Sequence, residues 1–323
     1  MLFDSAIIIL GFIGLIWGAD KFVFGASGLA RNLGVSPLMI GLTIVAFGTS
    51  APEIFSSAVS AWDGKPELAI GNALGSNLFN VGVAIGIAAI ISPLKPPESL
   101  ADKELPALLL VTFVSGALLV DLYLGFIDAI VLVAITGFFS YTMFRNRISA
   151  STVVETSEKD IAKISNLQAV AYLSLGLALL VFSAEALVHA ASSIAESLGI
   201  STSIIGLTII ALGTSLPELA TSVTSVLKNQ DDIAIGNIVG SNIMNLLIVL
   251  PFPGLLSAGP IEAELFYRDY TGVLIITLIL AWFCYRGIRK DRQIGRVSGI
   301  IFLSIYCGWF AFMFFQVYEP AIL

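Results

Sequence analysis

Apolar stretches long enough to cross a membrane follow one another along almost the whole chain, and the polar positions between them mark out the elements. A bilayer core needs roughly 20 apolar residues per helix. Runs of that kind fall near 4–30, 38–62, 68–92, 104–121, 124–144, 166–196, 203–227, 233–257, 270–288 and 297–317, which predicts ten helices. Breaks fall at Asn32–Pro37, Asp63–Pro66, Pro93–Lys103, Asp121–Leu124, Arg145–Asn166, Leu198–Ser203, Lys228–Asp232, Ser257–Asp269 and Arg286–Arg296. The first run begins at once, without a basic leader region or a small-residue cleavage site, so it is expected to stay as a span rather than be removed as a signal peptide.

A second pattern overlies the first. The segment Gly41 to Glu53, GLTIVAFGTSAPE, returns as GLTIIALGTSLPE from Gly206 to Glu218, 165 residues later, with ten of thirteen positions identical. At the same offset AIGNALGSNLFN (Ala69 to Asn80) returns as AIGNIVGSNIMN (Ala234 to Asn245). The chain is therefore expected to be two copies of a five-helix unit, 1–145 and 166–323, joined by a polar linker at 146–165 that is too short for a large regulatory domain.

Composition closes off the soluble classes. With 57% hydrophobic and 12% charged residues and a mean hydropathy of +0.95, the fold class is an all-α polytopic membrane protein. The net charge of −7 says little about partners, because a membrane protein's charge is read loop by loop. No nucleic-acid reading survives, and no obligate protein partner is evident. Cys284 and Cys307 stand in apolar runs without metal-ligand spacing and are expected to be buried small hydrophobes.

Loop charge gives the orientation. Of the sixteen Lys and Arg, thirteen fall in one alternate set of loops, Lys65 and Arg268 in the other, and Lys21 within the first span. The richer set belongs on the cytoplasmic side, which places both termini outside, in a plasma or bacterial inner membrane. An odd number of spans per unit makes the second copy enter from the opposite face, the inverted-repeat arrangement of secondary transporters.

The repeated motifs carry polar groups into segments otherwise fit for lipid. Residues three and four apart share a helix face, so Thr49, Ser50 and Glu53 line up, as do Thr214, Ser215 and Glu218. Pro52 and Pro217 cannot donate backbone bonds to the Gly48 and Gly213 carbonyls, and such breaks are tolerated where they line a wet or buried cavity. Asn72, Ser76 and Asn80 recur at i+4, matched by Asn237, Ser241 and Asn245, while Gly71, Gly75, Gly236 and Gly240 form close-packing faces. An ionised carboxylate at the bilayer centre costs about 2.5–3.5 kcal/mol, yet Glu53 and Glu218 have no Lys, Arg or His in their own or paired segments. A cation supplied from outside is the expected partner. Carboxylate, amide and hydroxyl oxygens suit hard ions, with Ca²⁺ and Na⁺ both fitting. No cofactor is called for; the ions are cargo. No enzymatic arrangement is visible, since the single histidine, His189, lies outside the duplicated motifs. A passive cation channel would use the same oxygens. Asp20 and Glu185 are a further repeat-related pair, read as structural or interfacial acids.

Paired GTSxPE and GNxxGSN motifs in two halves resemble the Ca²⁺/cation antiporter superfamily, particularly its Na⁺/Ca²⁺ exchanger branch. The resemblance implies ten helices in which spans two, three, seven and eight enclose the ions while spans one and six slide past them. It carries over Ala46, Thr49, Ser50, Glu53, Ser76 and Asn80, with Ala211, Thr214, Ser215, Glu218, Ser241 and Asn245, as ion ligands. Members of this branch often have an aspartate where this chain has Asn245, leaving two carboxylates here and weakening a K⁺-dependent reading. The proton-coupled branch typically has a glutamate in the GN motif where this chain has Gly75 and Gly240. Na⁺/Ca²⁺ antiport is thus expected, with H⁺/Ca²⁺ or K⁺-dependent exchange as the alternatives.

Overall fold

The computed structural model describes residues 2–149, 164–198, 209 and 211–318. The helices are α1 (Leu2–Leu33), α2 (Pro37–Thr49), α3 (Ala51–Trp62), α4 (Pro66–Ile91), α5 (Glu104–Leu119), α6 (Phe126–Ser149), α7 (Asn166–Ser197), α8 (Ala211–Thr214), α9 (Leu216–Leu227), α10 (Asp231–Leu256), α11 (Leu265–Lys290) and α12 (Arg296–Tyr318). Against the ten spans expected, six of the described helices are long and apolar enough to cross a bilayer, or seven when α2 and α3, bent by 45° at their junction, count as one. The linker residues 150–163 and most of the segment 199–210, where the run at 203–227 begins, lie outside the described residues.

Local chemistry sets the helix ends. Ser36 caps α2, its hydroxyl accepting from the Met39 N–H at 3.2 Å, with Pro37 at the first helical position. Ser165 and Gln168 form a reciprocal capping box at the start of α7. The turns after α3 and α9 sit at repeat-related positions and each uses a left-handed residue, Gly64 at φ +70° and Asn229 at φ +56°.

Burial sorts the helices into an inner and an outer group. The most apolar windows of α4 and α10 are 78% and 89% buried, those of α1 and α7 only 33% and 22%. Apolar side chains of α4, α5, α10 and α11 form the main core, Ile70, Leu74, Leu78, Ile235, Ile238 and Leu246 among them. α1 and α7 pack along each other and share a smaller core with Ile40 and Val45 of α2. The outer faces of that pair expose Phe12, Ile16, Trp17 and Phe182, as lipid-facing surfaces do.

Loops tie the ends together. Leu94, after α4, bridges to Ile294 between α11 and α12. The strand Tyr123–Leu124 pairs antiparallel with Gly259–Pro260, after α10. The two ties lie at opposite ends of α5, because Leu94 precedes that helix and Tyr123 follows it.

The close approach predicted for the paired glycines is found for one set. A Cβ on Gly240 would come within 2.5 Å of the Leu42 carbonyl oxygen, and one on Gly236 within 2.6 Å of that of Leu38, so α10 and α2 touch backbone to backbone. Gly71, by contrast, meets only the Leu265 side chain at 3.8 Å. Of the two cysteines, Cys284 is buried as expected and Cys307 is exposed, on an α12 face directed away from the core.

Candidate functional site

The two copies of the duplicated motif meet at the centre. Their polar side chains pair crosswise, each reaching into the other half. Helical geometry ends at Ser50 (φ −81°, ψ 4°) and at Ser215 (φ −93°, ψ 6°), and Pro52 and Pro217 then start α3 and α9. These breaks put both glutamates in the first turn of a new helix. The partial positive charge there favours a carboxylate.

From this position the Ser50 hydroxyl donates to Glu218 Oε1 at 3.0 Å, and the Ser215 hydroxyl donates to Glu53 Oε1 at 2.8 Å. Ser215 Oγ also lies 3.0 Å from Ser76 Oγ. Thr49 Oγ1 donates to Asn237 Oδ1 at 3.0 Å, and Thr214 Oγ1 stands 3.4 Å from Asn72 Oδ1. Asn72 in turn donates to the Glu53 carbonyl at 3.2 Å and to Ser57 Oγ at 2.9 Å, while Asn237 Nδ2 reaches Ser222 Oγ at 3.4 Å. Six of these eight contacts fall into three pairs related by the 165-residue shift.

Glu53 and Glu218 are both 0% exposed, so neither is neutralised by solvent. Ser76 flanks the first carboxylate and Thr49 and Ser241 the second. Among the described residues no Lys, Arg or His pairs with either. Five buried oxygens here have no protein partner: Glu53 Oε2, Glu218 Oε2, Asn80 Oδ1, Asn245 Oδ1 and Ser241 Oγ. Unpaired buried polar atoms are rare, because each carries the full cost of its lost hydration. All five are acceptors or hydroxyls. A set of two carboxylates and neutral oxygens, without thiolate or imidazole, suits a hard cation.

Ten of the twelve residues expected as ligands enter these contacts or stand unpaired beside them. The Ala46 carbonyl is occupied within α2 by the Ser50 N–H at 2.9 Å and approached by Thr49 Oγ1 at 3.3 Å. Ala211 opens α8, and its side chain lies outside the described residues. Asp20 stays apart from the cage, paired with Lys228 at 2.6 Å and Lys21 at 3.2 Å, consistent with a structural acid. Glu185 is exposed on α7.

Two pairs went unused in the sequence reading. Ser57 and Ser222 anchor Asn72 and Asn237. Asn77 and Asn242 lie at the contact of α4 with α10, 1% and 0% exposed. Both asparagines stand inside the quoted GSN motif, identical in the two copies, but they sit one position off the i+4 face on which Ser76 and Asn80 were found. At Asn80–Ile85 and Asn245–Val249 the helices widen into π-helical turns beginning on Asn80 and Asn245 themselves; such turns are frequent at functional sites.

Comparison with known proteins agrees with this arrangement. The family model described as sodium/calcium exchanger protein matches residues 4–145 and 168–315. The chain is 42% identical to the putative antiporter CaxA of Alkalimonas amylolytica, over 96% of this chain and 98% of that one. It is 37% identical to the inner membrane protein YrbG of Escherichia coli (strain K12), over 97% and 98%. Among solved structures, the sodium-calcium exchanger NCX_Mj soaked with Na⁺ and without Ca²⁺ superposes with a TM-score of 0.83 at 33% identity, covering 96% of this chain and 98% of that one.

Proposed function

The chain belongs to the sodium/calcium exchanger family, and from that premise we propose that it is a secondary active antiporter exchanging Na⁺ for Ca²⁺ by alternating access. The observation that carries this reading is the buried cage of Glu53 and Glu218 with five unpartnered oxygens and, among the described residues, no protein cation to balance them. Two negative charges match one Ca²⁺, and the same oxygens can instead hold Na⁺. Because both ions need one cage, occupation by either excludes the other, and competition alone couples the two fluxes. Where the Na⁺ charge entering exceeds the two charges of Ca²⁺ leaving, each surplus charge is worth about 2.3 kcal/mol per 100 mV.

The ten-span, inverted-repeat arrangement belongs to this proposal. It is supported by the crosswise pairing of repeat-related residues and by loop ties at opposite ends of α5. An inner membrane location is supported by the likeness to YrbG, and the loop-charge bias favours termini on the outer side.

The test is radiolabelled Ca²⁺ uptake into proteoliposomes loaded with Na⁺, K⁺ or choline at matched pH, for the wild type and the Glu53→Gln, Glu218→Gln variant. Uptake that requires internal Na⁺ and vanishes in the variant is the expected result. Uptake driven equally by a pH gradient without Na⁺ would replace this reading with the proton-coupled one. Flux indifferent to every counter-ion would replace it with a channel.

A further inference from the structure

The hydrogen bonds of Asn77 and Asn242 go to each other's backbone and to Asn245 and Asn80 rather than to a glutamate, and both residues are buried at the contact of α4 with α10. The Asn77 side-chain N–H donates to the backbone carbonyl of Asn242 at 3.2 Å, and Asn242 Nδ2 lies 3.5 Å from the backbone carbonyl of Asn77. Asn245 Nδ2 donates to Asn77 Oδ1 at 3.0 Å, and Asn80 Nδ2 donates to Asn242 Oδ1 at 3.1 Å. A side-chain amide can be turned end for end at little steric cost, so what fixes each orientation is the sequence of donors and acceptors.

Here that sequence starts at a backbone carbonyl, which only accepts. The Asn77 nitrogen must therefore face Asn242 O, which turns its oxygen to Asn245. Asn245 must answer with nitrogen, which leaves its own oxygen pointing away from the amide pair. The same logic runs from Asn77 O through Asn242 to Asn80. The two oxygens at the ends of these chains are Asn80 Oδ1 and Asn245 Oδ1, both buried and both without a protein partner. Asn80 lies one helical turn from Ser76, which meets Ser215 at the Glu53 carboxylate, so the freed oxygen is on the cage side of its helix.

We infer that Asn77 and Asn242 are positioning residues that hold Asn245 and Asn80, each in the opposite repeat, with oxygen rather than nitrogen toward the transported cation. This rests on the exchanger reading given above. A flipped amide would present two N–H groups to the cage and set two oxygens about 3 Å apart behind it. With neutral amides at both positions, a cation site on this chain depends on orientation in a way that a carboxylate, with an oxygen at either end, does not.

That difference supplies the test. Ca²⁺ uptake and its half-saturating concentration are measured in proteoliposomes for Asn77→Leu and Asn242→Leu, each alone and combined with Asn245→Asp or Asn80→Asp. Each Leu variant is expected to raise the half-saturating Ca²⁺ concentration by roughly tenfold or more, the scale of losing one interaction with a charged group. Asn245→Asp restores the Asn77→Leu variant and not the Asn242→Leu variant, and Asn80→Asp does the reverse. In an otherwise wild-type chain either Asp faces an amide oxygen and gains much less.

Rescue that ignores the pairing, or effects that simply add, would overturn the inference, since a merely structural loss has no reason to be repaired crosswise. If the Leu variants do not assemble, Asn77→Ala and Asn242→Ala remove the same groups without overfilling, and the same cross is read. Absence of Ca²⁺ transport in the wild type would sink the exchanger reading instead, so the two failures are separable.

Discussion

At the residue scale the central fact is two fully buried carboxylates that no cationic side chain among the described residues pairs with. Glu53→Gln keeps the size of the side chain, and its carbonyl can still accept from Ser215, so assembly is expected to survive. What changes is charge. On the proposed exchange, removing one of two charges that would face a divalent ion forfeits at least the ~1.5–3 kcal/mol of a hydrogen bond to a charged group, so Ca²⁺ affinity should fall roughly 10–100-fold or further. The cation-free protein should behave the other way, because the substitution replaces one of two fully buried acids by a neutral amide. Thermal unfolding in detergent, with and without Ca²⁺, checks both signs. The variant should melt above the wild type in chelator and show little of the wild type's Ca²⁺-dependent rise. A variant that melts lower in chelator and still gains fully from Ca²⁺ would remove Glu53 from the cage. Ser215→Ala probes the same oxygen more gently. It strips Glu53 Oε1 of its 2.8 Å donor and is expected to cost about 1–3 kcal/mol of stability, read as a lowered melting temperature.

At the scale of elements, the glycines on α10 separate packing from chemistry. A methyl group on Gly240 would meet the Leu42 carbonyl at 2.5 Å and the Ala46 Cβ at 2.7 Å, so Gly240→Ala must push α2 away from α10. The expected cost is about 1–3 kcal/mol. It should appear as lower thermal stability together with weakened Ca²⁺ binding, since Thr49 and Ser50 ride on the displaced segment. Gly71→Ala, with only Leu265 at ordinary contact distance, should be neutral or slightly stabilising. Equal losses from both would show that the close approach is not what positions α2. The contrast also shows what the sequence could tell. Motif identity and offset located the breaks at Ser50 and Ser215, the two glutamates and most of their partners, because a carboxylate or a proline inside an apolar run is visible without a structure. It could not reveal that Gly236 and Gly240 press on α2, since a GxxxG pattern states only that something can come close. Nor could helical periodicity find Asn77 and Asn242. Their work is done across α4 and α10, one position off the face that an i+4 count through Ser76 and Asn80 follows. The count of ten spans stays an expectation, because much of the run at 203–227 lies outside the described residues and the run at 38–62 is bent by 45° between α2 and α3.

At the scale of the whole molecule, the duplication makes a claim about which side of the membrane each loop faces. Lys65 and Gln230 occupy the same place in the two copies, just after the left-handed turn residues Gly64 and Asn229 and just before α4 and α10. If the copies were inserted with the same orientation, both loops would face one side. Five spans per copy and the skewed Lys and Arg distribution predict instead that Lys65 is outside and Gln230 inside. The crosswise hydrogen bonds of Ser50 with Glu218 and Ser215 with Glu53 are what two copies related by an axis in the membrane plane would produce. Single cysteines at Lys65→Cys and Gln230→Cys, in a chain whose exposed Cys307 is replaced by serine, put the claim to measurement. A membrane-impermeant maleimide added to intact cells should label the first and leave the second until the membrane is opened. Labelling of both from the same side would leave the cage intact as a cation site, but it would remove the symmetry by which a single site can be presented to one face and then the other.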